Sequence, residues 1–239
     1  MNLDVLVFAA HPDDAELSMG GTIAKLSSNN LKVGMIDITE GELGTRGTPE
    51  TRQKEAFQAA IILKAALREN LKIPDGYIKY NKENLLKVIM SIRRYRPKII
   101  FAPYFNDRHP DHIDASRLVK RAMFSTGLAK IKTFDKEVHQ VAFRPMKLYY
   151  YMQTYTFEPS FIVDINESFE TKMKAVNSYS SQFHNPKSTD PETFISRPEF
   201  IKYIESRSQF YGFQIGKQHG EPFYCEEKIE LDFVSMLKA

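Results

Sequence analysis

Short apolar runs alternate along this chain with longer segments whose apolar residues recur at helical spacing. Val5 to Ala9 is apolar throughout, as expected of a strand buried on both faces, and the strand is read from Leu3. Residues 15–28 fit a helix, with Leu17, Thr22, Ile23 and Leu26 on its inner side and Asn29-Asn30 at its end. Lys32 to Thr39 reads as a second strand, followed by a polar loop from Glu40 to Pro49. Glu50 to Leu67 is rich in Ala, Glu, Gln and Leu, and Pro49 suits its first turn, so it predicts a helix. A short strand at Tyr77 to Tyr80, a helix at Asn84 to Tyr95 and a strand at Lys98 to Ala102 follow, with Arg96-Pro97 as the break. Asp114 to Ser125 reads as a helix, Lys147 to Met152 and Phe161 to Asp164 as strands, and Phe169 to Ser181 and Pro198 to Phe210 as helices. Strands alternating with helices predict an α/β fold, a mostly parallel sheet with helices on both faces, built as a single domain over 1–239. Asn185 to Glu192 reads as a mobile surface loop.

Composition narrows the class. With 42% hydrophobic residues among 239, the chain can bury a substantial core. A net charge of +3 gives no case for nucleic acid. Cys225, the one cysteine, excludes an intrachain disulfide, fits a reducing compartment and reads as a buried small residue. No targeting segment and no membrane-spanning run are visible, so a soluble, cytoplasmic protein is expected.

The chemistry gathers in two motifs at strand ends. Ala10-His11-Pro12-Asp13-Asp14-Ala15-Glu16 follows the first strand, and Asp107-Arg108-His109-Pro110-Asp111-His112 follows the strand at Lys98 to Ala102. In an open α/β sheet ligands bind beyond the carboxyl ends of the strands, so these loops and the Glu40 to Thr51 loop should converge. His11, Asp14 and His112 offer two nitrogens and one anionic oxygen, a donor set for Zn²⁺ that leaves a position for water. Fe²⁺ or Co²⁺ would suit the same donors. Asp13, beside Asp14, suits a general base that returns its proton to a leaving amine. His109 suits an oxyanion donor, and Asp111 suits the carboxylate that fixes an imidazole tautomer. Each residue alone has a blander reading: Asp13 or Asp14 as a helix cap, His109 or His112 as a surface histidine. Two such motifs at two predicted strand ends favour the metal.

Other features weigh less. Arg46 and Arg52 flank the second loop and suit a bidentate contact with a substrate carboxylate or phosphate, although Arg52 equally suits an exposed first-turn helix position. Arg93-Arg94-Tyr95-Arg96 reads as a solvated helix C-terminus. Tyr149-Tyr150-Tyr151 reads as strand packing, His139 and His184 as surface residues, and His219 to Phe223 as a loop able to close over a site.

These residues resemble the PIG-L/LmbE-type family of zinc-dependent N-acetylglucosamine deacetylases. The likeness rests on the AHPDDAE and HPDH segments, on Gly41 to Thr48, on Glu50 to Ala56 and on Gly220-Glu221-Pro222-Phe223. The GTRG loop is most similar to the bacillithiol branch, which deacetylates N-acetylglucosaminyl malate. The resemblance implies a Rossmann-like fold and zinc on His11, Asp14 and His112. It implies Asp13 as acid/base, His109 as oxyanion stabiliser supported by Asp111, and an arginine between Arg46 and Arg52 on the aglycone carboxylate. It also implies a small amino-sugar conjugate as substrate and a homo-oligomer, a hexamer in this branch. Deacetylation of another N-acetylglucosamine compound and hydrolysis of a thiol-sugar conjugate are the near alternatives. A non-catalytic sugar- or nucleotide-binding module would have no use for Asp13, and no GxGxxG turn follows the first strand to support a dinucleotide enzyme.

Overall fold

The computed structural model describes residues 1–186 and 188–232. Its elements run β1 (Val5–Ala9), α1 (Asp14–Ser28), β2 (Val33–Asp37), α2 (Pro49–Ile62), β3 (Leu67–Asn70), α3 (Lys82–Tyr95), β4 (Ile99–Pro103) and α4 (Pro110–Ser125). The chain continues with β5 (Phe134–Asp135), β6 (Val138–His139), β7 (Lys147–Tyr151), β8 (Phe161–Asp164), α5 (Phe169–Val176), α6 (Pro198–Gln214) and β9 (Gly220–Tyr224).

Seven strands form one sheet in the order β3-β2-β1-β4-β7-β9-β8, parallel from β3 to β7 and antiparallel where β9 joins. The period-two alternation of β1 explains the two layers. Val5, Val7 and Ala9 pack under α1, α2, α5 and α6, whereas Leu6, Phe8 and Ala10 pack under α3 and α4. The strand order turns back at β1, with β2 and β3 laid to one side and β4 and β7 to the other. α1 and α3 lie on opposite faces, and the reversal of strand order at β1 opens a crevice at the carboxyl ends of β1 and β4. No helix among the described residues is long and apolar enough to cross a membrane.

Several expected elements shift. The helix predicted to Leu67 ends at Ile62, where Lys64 turns into the left-handed region (φ 54°), and Leu67–Asn70 joins the sheet as an edge strand. Its partly buried pattern, with Arg68 and Glu69 inside, hid it from an apolar count. Tyr77 to Tyr80 forms no strand. α4 begins at Pro110, not Asp114, so Asp111 and His112 sit in its first turn. The helix predicted to Ser181 stops at Val176, and α6 runs on to Gln214. The predicted loop at His219 to Phe223 is instead β9, inserted between β7 and β8. Arg93 is not solvated: it is buried and donates to the carbonyls of Thr126, Leu128 and Ile131, which closes the turn after α4. Between Asn185 and Glu192 the described residues form no helix or strand, and residue 187 lies outside them. Cys225 is buried, and Tyr150 and Tyr151 are core residues of β7.

Candidate active site

The carboxyl ends of β1 and β4 deliver the side chains. β1 ends at Ala9 and hands on to His11, Pro12 and Asp13; α1 then starts at Asp14. Asp13 occupies the N-cap position, yet its side chain makes no cap hydrogen bond, and its backbone is held at φ 116° and ψ −28°. A non-glycine residue in that region costs about 1–3 kcal/mol, a strain typical of functional positions. β4 leads to Asp107 and His109, and His109 caps α4 by accepting the Asp111 amide on Nδ1 at 3.2 Å. Neutral His109 therefore carries its proton on Nε2.

His11, Asp14 and His112, all buried, bring one donor atom each within 4.8 Å of one another. His11 Nδ1 lies 3.4 Å from Asp14 Oδ2, and His112 Nε2 lies 3.2 Å from Asp14 Oδ1. The other ring nitrogens are held from behind. His112 Nδ1 donates to Asp107 Oδ1 at 2.8 Å, and His11 Nε2 donates to Asp75 Oδ1 at 3.0 Å and Asp111 Oδ2 at 3.3 Å. Such carboxylate–histidine contacts fix the tautomer that a metal requires. A second grouping, His11 with His109 and Asp111, also meets the spacing but shares His11.

The electrostatics agree with a demand for positive charge here. Burial alone would lower both imidazoles. Hydrogen bonds that its ring donates to the Asp111, Asp14 and Asp75 carboxylates nevertheless hold His11 well above its usual pKa, and Asp14 and Asp107 raise His112 to about 9. Burial alone would raise Asp14, but the two histidines hold it well below the carboxylate range. Asp107 is likewise held down to about 2, against burial, by His112 and backbone amides. Asp13 behaves differently: burial lifts it to about 7, although Arg52 pulls the other way. Burial and the neighbouring His11 and His112 charges lower His109, which keeps it neutral. The donor set, the oriented tautomers and the surplus of buried carboxylate fit a divalent cation of the zinc type.

A pocket of about 550 Å³ opens above this cluster, lined on its outer side by Arg46, Arg108, Phe194, Phe200 and Tyr203. The two candidate arginines part company. Arg46 is buried in the pocket wall, its Nε has no hydrogen-bond partner among the described residues, and the exposed Asp190 carboxylate stands 3.9 Å away. Arg52 is not an exposed helix residue: it is buried in the pocket wall, and its Nη1 and Nη2 are engaged by the chain itself. It donates to Gly41 O at 3.1 Å, to Pro12 O at 2.7 Å and to Asp13 Oδ2 at 3.4 Å. Gly41 has φ 69°, and a Cβ there would run into Arg52 Nη1, so the glycine serves this clamp. Asp111 accepts from an imidazole as expected, but the ring is that of His11: its carboxylate faces His11 and the Gly76 amide, and it reaches His109 only through its backbone N–H.

Sequence reasoning passed over Asp75 and gave Asp107 no role. Asp75 sits in the loop after the unrecognised β3, where it accepts the Leu43 amide at 3.0 Å as well as His11, and so ties the second loop to the cluster. Asp107 offered a signal, a carboxylate five residues before His112 on the same strand-to-helix turn. His139 and His184 are exposed, and His219 is buried against Phe169 with ring centroids 3.7 Å apart.

The fold and this cluster define an α/β protein with a buried histidine–aspartate site at the sheet's carboxyl edge. The chain belongs to the PIG-L family, whose model, described as GlcNAc-PI de-N-acetylase, matches residues 6–123. The conserved protein TT1542 from Thermus thermophilus is 36% identical, superposes with a TM-score of 0.86 and covers 96% of this chain and 97% of its own. Diacetylchitobiose deacetylase from Thermococcus kodakarensis is 28% identical over 229 residues, 91% of this chain and 80% of that protein. Probable N-acetyl-alpha-D-glucosaminyl L-malate deacetylase 2 from Bacillus cereus is 27% identical over 199 residues, 76% of this chain and 84% of that protein.

Proposed function

We propose that this protein is a zinc-dependent N-deacetylase of an N-acetylglucosamine conjugate, with N-acetylglucosaminyl L-malate as the substrate. The observation that carries the reading is the approach of His11, Asp14 and His112 beside a carboxyl group, Asp13, whose pKa burial places near 7. His11, Asp14 and His112 would hold the ion. When bound, a divalent metal polarises a carbonyl and makes a water more acidic.

The chain's own residues do the rest. Asp13 accepts a proton from the water as its oxygen attacks the acetamide carbon, and it later delivers that proton to the departing nitrogen. The C–N bond breaks, giving acetate and a free amine. A group near pKa 7 is half-ionised at neutral pH and suits both directions of transfer. Neutral His109 donates through Nε2–H to the developing oxyanion. Arg52 holds Asp13 in its strained conformation and is a positioning residue. Arg46, in the pocket wall with no hydrogen bond on Nε and only the exposed Asp190 carboxylate 3.9 Å away, supports an anionic aglycone.

The reading that competes is a neutral N-acetylglucosamine disaccharide, favoured by the longer match to the diacetylchitobiose enzyme. A panel of N-acetylglucosaminides with malate, inositol and neutral aglycones, assayed for released amine, separates the two. A charge-assisted hydrogen bond is worth roughly 1.5–3 kcal/mol, or on the order of 10–100-fold in kcat/KM. Preference for malate by that factor, lost in Arg46→Met, is expected. Equal rates across the panel would remove the malate assignment and leave the deacetylase.

A further inference from the structure

α1 is broken in the middle of its buried stretch. At Met19 the backbone leaves helical geometry, with φ −140° and ψ 21°. In an unbroken helix the amides of Gly21 and Thr22 would donate to the carbonyls of Leu17 and Ser18. Here both donate to one carboxylate: Gly21 N to Glu221 Oε1 at 3.0 Å, and Thr22 N to Glu221 Oε2 at 2.6 Å. The Thr22 hydroxyl donates to the same Oε2 at 2.6 Å. On the other side of the break, the Leu17 carbonyl accepts from Arg207 Nη2 at 2.8 Å. Lys172 Nζ, 2.6 Å from Glu221 Oε1, balances the carboxylate.

The three charged side chains come from three late elements, α5, α6 and β9, and all are buried. Burying them is costly, and simple helix continuation would have satisfied the same backbone groups. The close approach also requires small residues, since a Cβ on Gly21 would lie 2.7 Å from Ile165 Cδ1. Ahead of the break stands a short piece of helix, Asp14 to Ser18, with Asp13 at its N-cap. Its far end is fixed as well: Ser18 Oγ donates to Gln153 Oε1 at 2.5 Å, and Arg207 Nη1 donates to Gln153 O at 2.5 Å.

We infer that Glu221 and Arg207 are positioning residues that hold α1 in its broken form and thereby aim its first turn, with Asp13 and Asp14, at His112. This assigns a role to the Gly220 to Phe223 motif at the site itself. The inference rests on the proposed function only in taking Asp14 as a metal ligand. Arg207 also lines the pocket and would affect substrate binding directly, so Glu221, which does not line it, is the cleaner probe.

Two measurements on the full chain test it. The first is Zn²⁺ affinity by chelator competition. Glu221→Gln and Arg207→Met, confirmed as folded by circular dichroism, should each bind Zn²⁺ about 10-fold more weakly, the lower end of what partners behind a ligand contribute. Thr22→Val, which removes one donor and keeps the charges, should show a smaller loss and serves if Glu221→Gln does not fold. Unchanged affinity in folded variants that merely melt earlier would reduce the brace to a structural contact and overturn the inference. The second is amide hydrogen exchange, which needs no metal. In Glu221→Gln the faster exchange should spread from Gly21 and Thr22 into residues 14–18; confinement to 21–22 would also overturn it. A wild-type protein that binds no Zn²⁺ would defeat the zinc assignment of the proposed function, and the exchange pattern would still decide this one.

Discussion

Asp107 Oδ1 lies 2.8 Å from His112 Nδ1, and that contact leaves Nε2 as the nitrogen facing Asp14. Asp107 is itself anchored by the amides of His109, Thr154 and Tyr155. The ring is thus fixed in both tautomer and direction by backbone from two strand ends. Asp107→Ala should keep the fold, lower Zn²⁺ affinity by about 10–100-fold and lose activity in parallel at limiting metal. Chelator competition checks the affinity, and excess Zn²⁺ should recover part of the rate.

Asp13 should separate binding from chemistry. Asp13→Asn is expected to retain its metal and its circular dichroism spectrum while kcat falls by about 10²–10⁴-fold. Metal analysis and acetate release on the same preparation read both. A near-wild-type kcat would assign the proton transfers to another group.

Arg52 gives a prediction with a sign. Its charge opposes the burial that raises Asp13, so removing it raises the Asp13 pKa further. The base form is then reached at higher pH, and the acid limb of kcat/KM should move to higher pH in Arg52→Met. Loss of its hydrogen bonds to Asp13 and Pro12 should cost on the order of 10–100-fold in kcat with KM little changed. A pH–rate profile of this variant beside Arg46→Met distinguishes them, because Arg46→Met should alter aglycone preference and leave the profile in place.

Metal binding should be strongly pH-dependent. The imidazoles of His11 and His112, the proposed ligands, carry raised pKa values, so at neutral pH protons occupy the nitrogens that a metal needs. Zn²⁺ uptake should release protons, and the apparent affinity should increase as pH rises toward about 9, the value of His112. Calorimetry in buffers of different ionisation enthalpy counts the protons; an affinity constant from pH 6 to 9 would contradict the electrostatics described.

The sequence carried the site better than it carried the sheet. The meeting of His11, Asp14 and His112 is legible because the motif order follows strand ends, and strand ends obey a topological rule. Asp75 and β3 were not legible for one shared reason. Leu67–Asn70 contains Arg68 and Glu69, whose place in the sheet depends on the pairing of Arg68 with Glu16 and Asp37 and on the Tyr95 hydroxyl that Glu69 accepts. Those partners come from distant elements, and no local pattern shows them. Glu221 was hidden similarly: its strand is short and contains a proline, and its ligands are the amides of a helix 199 and 200 residues earlier. For Arg52 the sequence leaves a substrate contact and an exposed first-turn position equally open, and the exposed reading falls only once the packing of Gly41 against the guanidinium is known.

The most direct measurement is acetate release from an N-acetylglucosaminide by protein stripped with a chelator and then titrated with Zn²⁺. The account predicts no turnover in the stripped protein, full recovery at one equivalent, and no recovery in His112→Ala. Undiminished hydrolysis by stripped protein, or none by reloaded protein on any member of the substrate panel, would contradict it.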